Sequence, residues 1–298
     1  MEIGDDMKIA IIGSEGIIGK KLVDYLCRRG MTVYGYDLIH ESQAGNKSHD
    51  NYYYSCTGET GVCYSGIDGI VILAAKRPVT EFLLNDYFHN ISIVYDIVNN
   101  AILNNVNNII FASSVSAYSQ GRLPFDEADY CIPTNLYGAS KTACEQIGLL
   151  LTKNSQSNFV ALRFAHVIGA NEKKGFFIRT VIDNAIEKRK QIVYGDGSQQ
   201  RHYIYINDVC RAIEAALIKK EVAGVFNIGM KHAYSNLELV ECVNKVFHNV
   251  GNLEHDYSKD IKGTDDEMKI EKARLELEYT PKYDLEAAFQ DIAQQLRK

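Results

Sequence analysis

A strand followed at once by a glycine-rich turn constrains the fold more than any other feature of the chain. Residues Lys8–Ile12 form an apolar run of strand length, and Gly13, Gly16 and Gly19 follow at G-x-x-G-x-x-G spacing. The next residues repeat apolar side chains four apart, as on one face of a helix, and residues 31–36 again read as a strand. This order of strand, turn, helix and strand predicts a βαβ unit with a parallel sheet.

The glycine turn has the pattern of a dinucleotide-binding loop. Glycine permits positive φ and lets a diphosphate approach the backbone, while the N-terminus of the following helix offers N–H groups to the anion. Asp37 lies 18 residues beyond Gly19, at the end of the second predicted strand. A carboxylate there accepts hydrogen bonds from both ribose hydroxyls of an adenosine and repels a 2′-phosphate. The sequence therefore predicts NAD as the cofactor in preference to NADP.

Strand and helix patterns alternate to about residue 168 and loosen afterwards. The expected fold class is α/β, a Rossmann-type doubly wound parallel sheet with a smaller, mixed α/β C-terminal lobe. We assign residues 1–168 to a NAD-binding domain, to which residues 203–229 return, and residues 169–298 to a substrate-binding lobe. No linker rich in Pro, Gly or Ser separates the two, so they should share a cleft.

Composition and charge exclude several classes of protein. Of the 298 residues, 46% are hydrophobic, and the formal net charge is −6, so no bulk attraction for nucleic acid or anionic membranes is expected. No apolar run approaches the ~18 residues of a membrane span. Acidic residues precede the first strand, where a secretory signal needs basic ones. The seven cysteines lack C-x-x-C spacing, which favours reduced thiols over a disulfide or metal site. We expect a cytoplasmic protein.

Three residues form a candidate catalytic set. Tyr137 and Lys141 stand four apart in a helical pattern, so the phenol and the ammonium share one helix face. Removing a proton from a sugar or alcohol hydroxyl at neutral pH requires a phenolate, but free tyrosine titrates near ~10. A nearby lysine, together with a positively charged nicotinamide, would stabilise the phenolate. Ser114 follows an apolar strand, at the kind of position where ligands meet a parallel sheet. Its hydroxyl can hydrogen-bond the substrate oxygen while the phenolate takes the proton.

These features resemble the extended short-chain dehydrogenase/reductase superfamily, and within it the NAD-dependent epimerase/dehydratase branch, whose type member is UDP-galactose 4-epimerase. In the first half, the resemblance rests on the glycine triplet, Asp37, Leu73–Ala75, Asn90, the serine turn Ser113–Ser116 and Tyr137-x-x-x-Lys141. It continues through Leu162–Gly169, Tyr194–Asp208, Val225–Gly229, and Lys272–Arg274 with Pro281. Essentially the whole chain from Met7 is covered.

The resemblance implies a role for each matching position. Ser114 would be the hydroxyl partner, Tyr137 the base, and Lys141 the anchor of the phenolate and the ribose. Cofactor contacts are implied at Gly13, Gly16, Ile17, Ile18, Gly19, Asp37, Leu38, Ala74, Ala75, Lys76, Asn90, Ser113, Tyr137, Lys141 and Phe164. Substrate contacts are implied at Arg77, Ser116, His166 and Arg201. Arg201 would clamp the diphosphate of a nucleotide sugar, while His166 either donates to a phosphate or only packs.

The implied reaction is epimerisation of a nucleotide sugar, as in UDP-glucose/galactose 4-epimerases, through a transient keto sugar. Tyr137 would deprotonate a hydroxyl, and NAD would take the hydride and return it to the other face. The alternatives are a 4-keto nucleotide-sugar reductase or dehydratase and, from another class, a non-catalytic NAD-sensing binding protein. Val115 and Ser116 stand where dehydratases of the branch carry an acid pair, which disfavours water elimination. The intact catalytic set argues against a binding protein.

Other departures from the family pattern lie at the substrate end. His202 stands where the family has an aspartate. The family's Arg-Pro-Gly-Asp stretch near the C-terminal end is matched here only by Lys262–Asp265, so a second contact with the diphosphate would be weaker or absent. Lys76 and Arg77 add positive charge beside the expected cleft, which suits an anionic ligand. The expected partner is thus a small-molecule nucleotide sugar.

A homodimer is a further expectation from the resemblance. Two long helices per subunit often form a four-helix contact in this family, and their equivalents here are Asp86–Asn104 and Tyr137–Thr152.

Overall fold

A large parallel sheet organises the chain. The structure is a computed structural model, and it describes residues 7–39, 44, 49–57, 62, 64–78, 81–119, 121–172, 175–219, 221–258 and 265–297. The strands within these residues are β1 (Lys8–Ile12), β2 (Thr32–Asp37), β3 (Tyr52–Cys56), β4 (Gly69–Ile72), β5 (Asn108–Ser114), β6 (Asn158–Phe164), β7 (His166–Ile168), β8 (Gln191–Tyr194), β9 (Gln200–Arg201), β10 (Tyr203–Tyr205), β11 (Gly224–Ile228), β12 (Tyr234–Ser235) and β13 (Leu253–Asp256).

The helices begin where side chains or backbone turns satisfy their first N–H groups. Asn135 accepts a hydrogen bond from the Gly138 N–H at 2.8 Å and so starts the third helix, and Ser235 and Glu238 form a capping box on the sixth. The helices are α1 (Ile17–Arg28), α2 (Leu84–Leu103), α3 (Leu136–Thr152), α4 (Phe177–Ile186), α5 (Ile206–Ile218), α6 (Asn236–Val246), α7 (Glu271–Glu276) and α8 (Leu285–Leu296). None of the helices in the described ranges is both long and apolar enough to cross a membrane.

Seven strands pair in the order β11-β6-β5-β4-β1-β2-β3, and all neighbours are parallel. Strands β2 and β3 are added on one side of β1, and β4, β5, β6 and β11 are then added on the other side. This reversal opens a crevice beyond the carboxyl ends of β1 and β4, where ligands bind in doubly wound sheets. The predicted Rossmann-type α/β fold is confirmed.

Helices cover both faces of the sheet, which explains why the strands are almost continuously apolar. Ile9 and Ile11 of β1 pack with apolar residues of α1 and α5 on one face. The alternate residues Ala10 and Ile12 pack with α2 and α3 on the other. Because helices occupy both faces of the sheet in the described residues, a ligand meets it at the strand ends.

Short strands and the remaining helices build a second group of elements. Strand β7 pairs with β10 and β8 with β13, both parallel, and β9 pairs with β12 antiparallel. Helices α4, α6 and α8 share a separate apolar core that includes Ile182, Leu239 and Phe289. Residues 203–229, which we assign to the NAD-binding domain, contain β10 and β11; β11 lies in the large sheet, whereas β10 lies outside it. The division of the chain into two domains near residue 168 stays a prediction.

The sequence patterns missed several of the short elements. Strand β10 covers Tyr203–Tyr205, and α5 begins directly after it at Ile206. Strands β8, β9, β12 and β13 have two to four residues each, too few to establish a period of two. The polar segment Ile39–Ser65 predicts an irregular connection with one short strand; it contains β3, and much of the rest lies outside the described residues.

The tight packing of the glycine turn on α1 yields a prediction about Gly19. A Cβ there would stand 2.2 Å from the carbonyl oxygen of Gly13 and 2.6 Å from that of Ser14. Because the backbone would have to move, we expect Gly19→Ala to lower the free energy of unfolding in urea by about 1–3 kcal/mol or more.

Gly16→Ala is the matched control. Its added Cβ would meet only the Gly13 oxygen, at 3.3 Å, and Gly16 has an ordinary φ of −68°. We expect a smaller loss, of at most about 1 kcal/mol, because alanine is a poorer N-cap residue than glycine but meets no backbone clash here. Equal losses in the two variants would contradict the packing described here.

Candidate active site

The glycine turn forms a shallow backbone cradle. Gly13 has φ +94°, and a Cβ on it would stand 2.7 Å from the Ala74 nitrogen, so only glycine fits between the ends of β1 and β4. Gly16 is exposed at the N-cap of α1, and Gly19 packs the helix against the turn. Ile17 and Ile18 begin the helix and line the adjoining cleft. The first amides of α1 are therefore placed to meet an anion.

Asp37 is held beside this cradle at the end of β2. Its Oδ2 accepts the Glu15 N–H at 2.9 Å and its Oδ1 accepts the Leu38 N–H at 2.7 Å. These bonds fix the plane of the carboxylate and leave lone pairs on both oxygens. Leu38 is largely exposed beside it. This geometry suits the two hydroxyls of an adenosine ribose.

Asn90 lies behind the loop that follows β4. Its Oδ1 accepts the Lys76 N–H at 2.7 Å, and its Nδ2 donates to the Lys76 carbonyl at 3.1 Å and to Ser140 Oγ at 3.2 Å. The side chain is buried, so both ends of the amide hold the loop that carries Ala74 and Ala75. The predicted contact of Asn90 with the cofactor stays a prediction, and in the structure its amide positions this loop.

Ser114, Tyr137 and Lys141 line one cleft at the carboxyl edge of the sheet. Lys141 Nζ is buried, donates to the Ala112 carbonyl at 2.7 Å, and lies 5.6 Å from the centre of the Tyr137 ring. Ser114 ends β5, and its Oγ accepts the Ser116 N–H at 3.1 Å. The structure thus brings the three predicted catalytic groups together on two neighbouring elements.

The cleft has a volume of about 1240 Å³ and lies between the strand ends and the second group of elements. Phe82 packs edge-on against Tyr137, with ring centres 5.7 Å apart. Most of the predicted site residues line this cleft, namely Ile17, Ile18, Ala75, Arg77, Ser113, Ser114, Ser116, Tyr137, Lys141, Phe164, His166 and Arg201. Lys76 is exposed on the loop next to it.

A buried polar network behind the catalytic helix was not predicted. Glu145, one turn beyond Lys141, accepts hydrogen bonds from Arg163 Nε at 2.9 Å and Arg163 Nη2 at 2.6 Å. Ser113 also donates to Glu145, and Arg163 Nη1 donates to the Tyr118 hydroxyl at 2.6 Å. Both charged side chains are almost completely inaccessible.

Burial opposes the charge on Arg163, but the hydrogen bonds and charge of Glu145 raise the pKa of the guanidinium above its ordinary value. The only sequence signals for this network were the position of Glu145 two turns after Tyr137 and the Leu162–Gly169 motif that contains Arg163.

A second unpredicted residue, Asp266, organises the substrate end of the cleft. Its Oδ2 accepts a hydrogen bond from Arg201 Nη1 at 2.9 Å and lies 3.0 Å from His166 Nε2, and its Oδ1 accepts the His202 N–H at 2.7 Å. Burial works to raise the pKa of Asp266, but His166, the His202 N–H and Arg201 lower it below its ordinary value. The expected clamp, Arg201, is thus already oriented by a carboxylate. Of the altered stretch 262–265, residues 262–264 lie outside the described residues.

The cradle, the fixed carboxylate and the catalytic set fit NAD. Glycine at position 13 lets the turn pack against Ala74 more closely than a Cβ would allow, the first amides of α1 are placed to meet a diphosphate, and Asp37 suits a ribose without a 2′-phosphate. Gly13, Gly16 and Asp37 would hold the adenosine diphosphate half, with Tyr137 and Lys141 at the nicotinamide end. Fold and site together define a dinucleotide-dependent enzyme of the Tyr-x-x-x-Lys class.

Comparison with known proteins gives the family. The model of the NAD dependent epimerase/dehydratase family matches residues 9–229, more than half of the chain, and the chain belongs to this family of enzymes. NAD is therefore its cofactor.

Several curated proteins and solved structures are similar to the chain. The UDP-glucose 4-epimerase of Halalkalibacterium halodurans is 26% identical over 268 residues, which span 80% of each protein. That of Lactobacillus helveticus is 28% identical over 269 residues, which span 80% of this chain and 82% of that protein. The crystal structure of UDP-N-acetylglucosamine 4-epimerase from Bacillus cereus superposes with a TM-score of 0.85 at 27% identity and covers 98% of this chain and 100% of that chain.

The buried ion pair yields a stability prediction. Replacing Arg163 with methionine would leave the Glu145 carboxylate inside the protein without its cation, and breaking such a pair costs about 3–5 kcal/mol. We expect a loss of this size in urea-induced unfolding. Arg28→Met is the control, because the Arg28–Asp24 pair is exposed and such pairs contribute at most about 1 kcal/mol. Similar losses in the two variants would rule out a structural role for the buried pair.

Proposed function

We propose that the protein is a nucleotide-sugar 4-epimerase that acts through a transient keto sugar. The observation that carries the proposal is that Ser114, Tyr137 and Lys141 line the same cleft as Arg201. A group that can take a proton from a hydroxyl and a cation that can bind a diphosphate thus face one ligand-sized space. The 4-epimerase relatives in bacteria support this choice.

The residues divide the chemistry between them. Tyr137, as a phenolate stabilised by Lys141, takes the proton from a sugar hydroxyl, and Ser114 hydrogen-bonds the same oxygen as it becomes a carbonyl. When bound, NAD supplies reversible hydride acceptance beside this carbon. Arg201 binds the diphosphate and Ser116 and Arg77 contact the sugar, so that the keto sugar stays bound while it turns. On return, Tyr137 gives the proton back.

Epimerisation is favoured over dehydration at this site. Water elimination needs an acid and a base beyond Ser114, but the next positions are Val115, which is buried, and Ser116, which is a neutral hydroxyl. The sugar most consistent with the relatives is a UDP-hexose of the glucose/galactose or N-acetylated pair.

The proposal is tested by incubating the purified protein with UDP-glucose and UDP-N-acetylglucosamine and following the C4 epimers by NMR. We expect at least one to be interconverted without added reductant. Tyr137→Phe should lower kcat by at least about 10²-fold, since general acid–base catalysis contributes that much, with the affinity for NAD unchanged within about twofold. Activity that survives Tyr137→Phe would disprove the proton-transfer role. Turnover only with added NADH would instead indicate a reductase.

We also propose that two copies associate through α2 and α3. Leu84, Phe88 and Tyr95 recur on one side of α2 and are 54%, 57% and 47% exposed, and Leu150 of the adjacent α3 is 69% exposed. Apolar helix faces of this kind are usually covered by another surface. A second copy would cover both helices with its own and form a four-helix contact.

Light scattering at micromolar concentration tests this association. We expect a mass of twice the 33.5 kDa chain, and we expect Phe88→Glu to give the mass of one chain because it places a charge in the apolar contact. Leu275→Glu is the control, since Leu275 is 71% exposed on α7, outside the two helices. A single-chain mass for the unmodified protein would refute the dimer.

A further inference from the structure

Three residues at the substrate end of the cleft meet at one carboxylate. Asp266 Oδ2 lies 3.0 Å from His166 Nε2 and accepts a hydrogen bond from Arg201 Nη1 at 2.9 Å, and Asp266 Oδ1 accepts the His202 N–H at 2.7 Å. The Asp266 side chain is only 11% exposed, whereas that of His166 is 44% exposed. His166 and Arg201 both line the cleft. The carboxylate therefore holds an imidazole and a guanidinium next to each other on the cleft wall.

The carboxylate also determines which nitrogen of His166 can serve a ligand. Burial works to raise the pKa of Asp266, but the hydrogen bonds from His166 and the His202 N–H and the charge of Arg201 lower it, so Asp266 is an ionised acceptor. The His166 Nε2 that faces it must then carry a proton. Nδ1 makes no hydrogen bond within the described residues. Whether Nδ1 is protonated therefore distinguishes the neutral ring from the imidazolium.

The segment that carries Asp266 is fixed from behind by His202. The His202 ring is inaccessible, its Nδ1 accepts the Met268 N–H at 2.9 Å, and its Nε2 donates to the Met230 carbonyl at 2.8 Å. Burial lowers the pKa of His202 below its ordinary value, which keeps this ring neutral and able to accept from Met268. His166 is thus held against a fixed support, and a ligand that uses it does not have to order a loop.

The titratable and charged groups around His166 come from every element that packs against it. Its direct neighbours are Asp266, Arg201 of β9, His202 and Tyr203 of β10, and the acidic residue of the cleft lining is Glu172. Burial raises the pKa of Tyr203, so this phenol stays neutral, and its ring centre lies 6.1 Å from that of His166. An arginine stays charged at neutral pH, whereas histidine changes its charge between about pH 5 and 8. A histidine beside an arginine thus supplies a second charge that depends on pH.

Building on the proposed nucleotide-sugar function, we propose that His166 binds the diphosphate as an imidazolium beside Arg201, so that the protein takes up a proton when it binds the nucleotide sugar. In the imidazolium, Nδ1–H donates a charge-assisted hydrogen bond to a phosphate oxygen. In the neutral ring, Nδ1 presents a lone pair, which cannot bind that oxygen. Because the diphosphate favours the protonated ring, the affinity rises as the pH falls and is lost as the ring gives up its proton.

Calorimetric titration at about pH 6 and about pH 8.5, on either side of the histidine range, tests this proton linkage. The protein is the full-length Tyr137→Phe variant with NAD bound, which prevents turnover, and the probes are UDP-glucose and UDP-N-acetylglucosamine, in which both phosphates are esterified. We expect binding to be about tenfold tighter at the lower pH, the size of one charge-assisted hydrogen bond. The heat should also depend on the buffer in the direction of proton uptake.

His166→Asn in the same background removes the titrating ring and keeps a polar side chain. We expect this variant to lose both the pH dependence and the proton uptake. His49→Asn is the matched control, because His49 Nε2 also contacts a carboxylate, Asp24 Oδ1 at 3.1 Å, but His49 lies outside the residues that line the cleft. The control should keep the pH dependence, and thermal unfolding should show that all variants are folded.

NMR of the histidine rings gives a second readout in the unmodified holoenzyme. The His166 signal is assigned by its loss in His166→Asn, and it should keep the imidazolium shift to higher pH when UDP-glucose or UDP-N-acetylglucosamine is bound. A signal that titrates identically with and without the probe that binds would overturn the proposed contact.

The calorimetric outcomes separate this proposal from the proposed function. An affinity that does not depend on pH, or a pH dependence that persists in His166→Asn, would overturn the role of His166 and leave the proposed epimerase function standing. Failure to bind either probe at both pH values would refute the proposed function itself.

Discussion

The buried ion pair between Glu145 and Arg163 connects the catalytic helix to the sheet. Glu145 lies on α3, the helix of Tyr137 and Lys141, and Arg163 lies on β6. The orientation of α3 on the sheet is therefore set by hydrogen bonds with defined geometry as well as by apolar contacts, which tolerate sliding. Glu145 also accepts a hydrogen bond from Ser113, the residue before the catalytic serine. One carboxylate thus sets the relative position of the two elements that carry the reaction.

The network continues away from the cleft and joins further elements. Tyr118, whose pKa is raised by burial, stays a neutral phenol and donates to Asn227 Oδ1 of β11 at 2.9 Å. The Asn227 N–H in turn donates to Glu127 at 2.8 Å. Glu127 thereby satisfies a backbone donor on the outer edge of the sheet, which would otherwise be open to another strand. Because each member of the network has partners, its burial stabilises one arrangement.

How much the sequence alone could predict depends on how local each interaction is. The glycine turn, Asp37 and the Tyr137/Lys141 pair were predictable because their geometry follows from strand ends and helical spacing. Asp266 was not, because it meets Arg201 across 65 residues of sequence and no periodic pattern connects them. Asn90 was recognised, but its partner was not, since a motif gives the residue and not the direction of its side chain.

The groups proposed for proton transfer and those proposed to bind the rest of the substrate lie on different kinds of element around the cleft. The proposed proton-transfer groups lie at the ends of long, buried elements, where a substitution would disturb both the core and the buried network. Arg201, the residue proposed to bind the diphosphate, lies instead on the two-residue strand β9, which is outside the large sheet. Asp266 forms an ion pair with Arg201 and so balances part of its positive charge. Differences in substrate between such proteins can then arise in these short strands while the proton-transfer geometry stays the same.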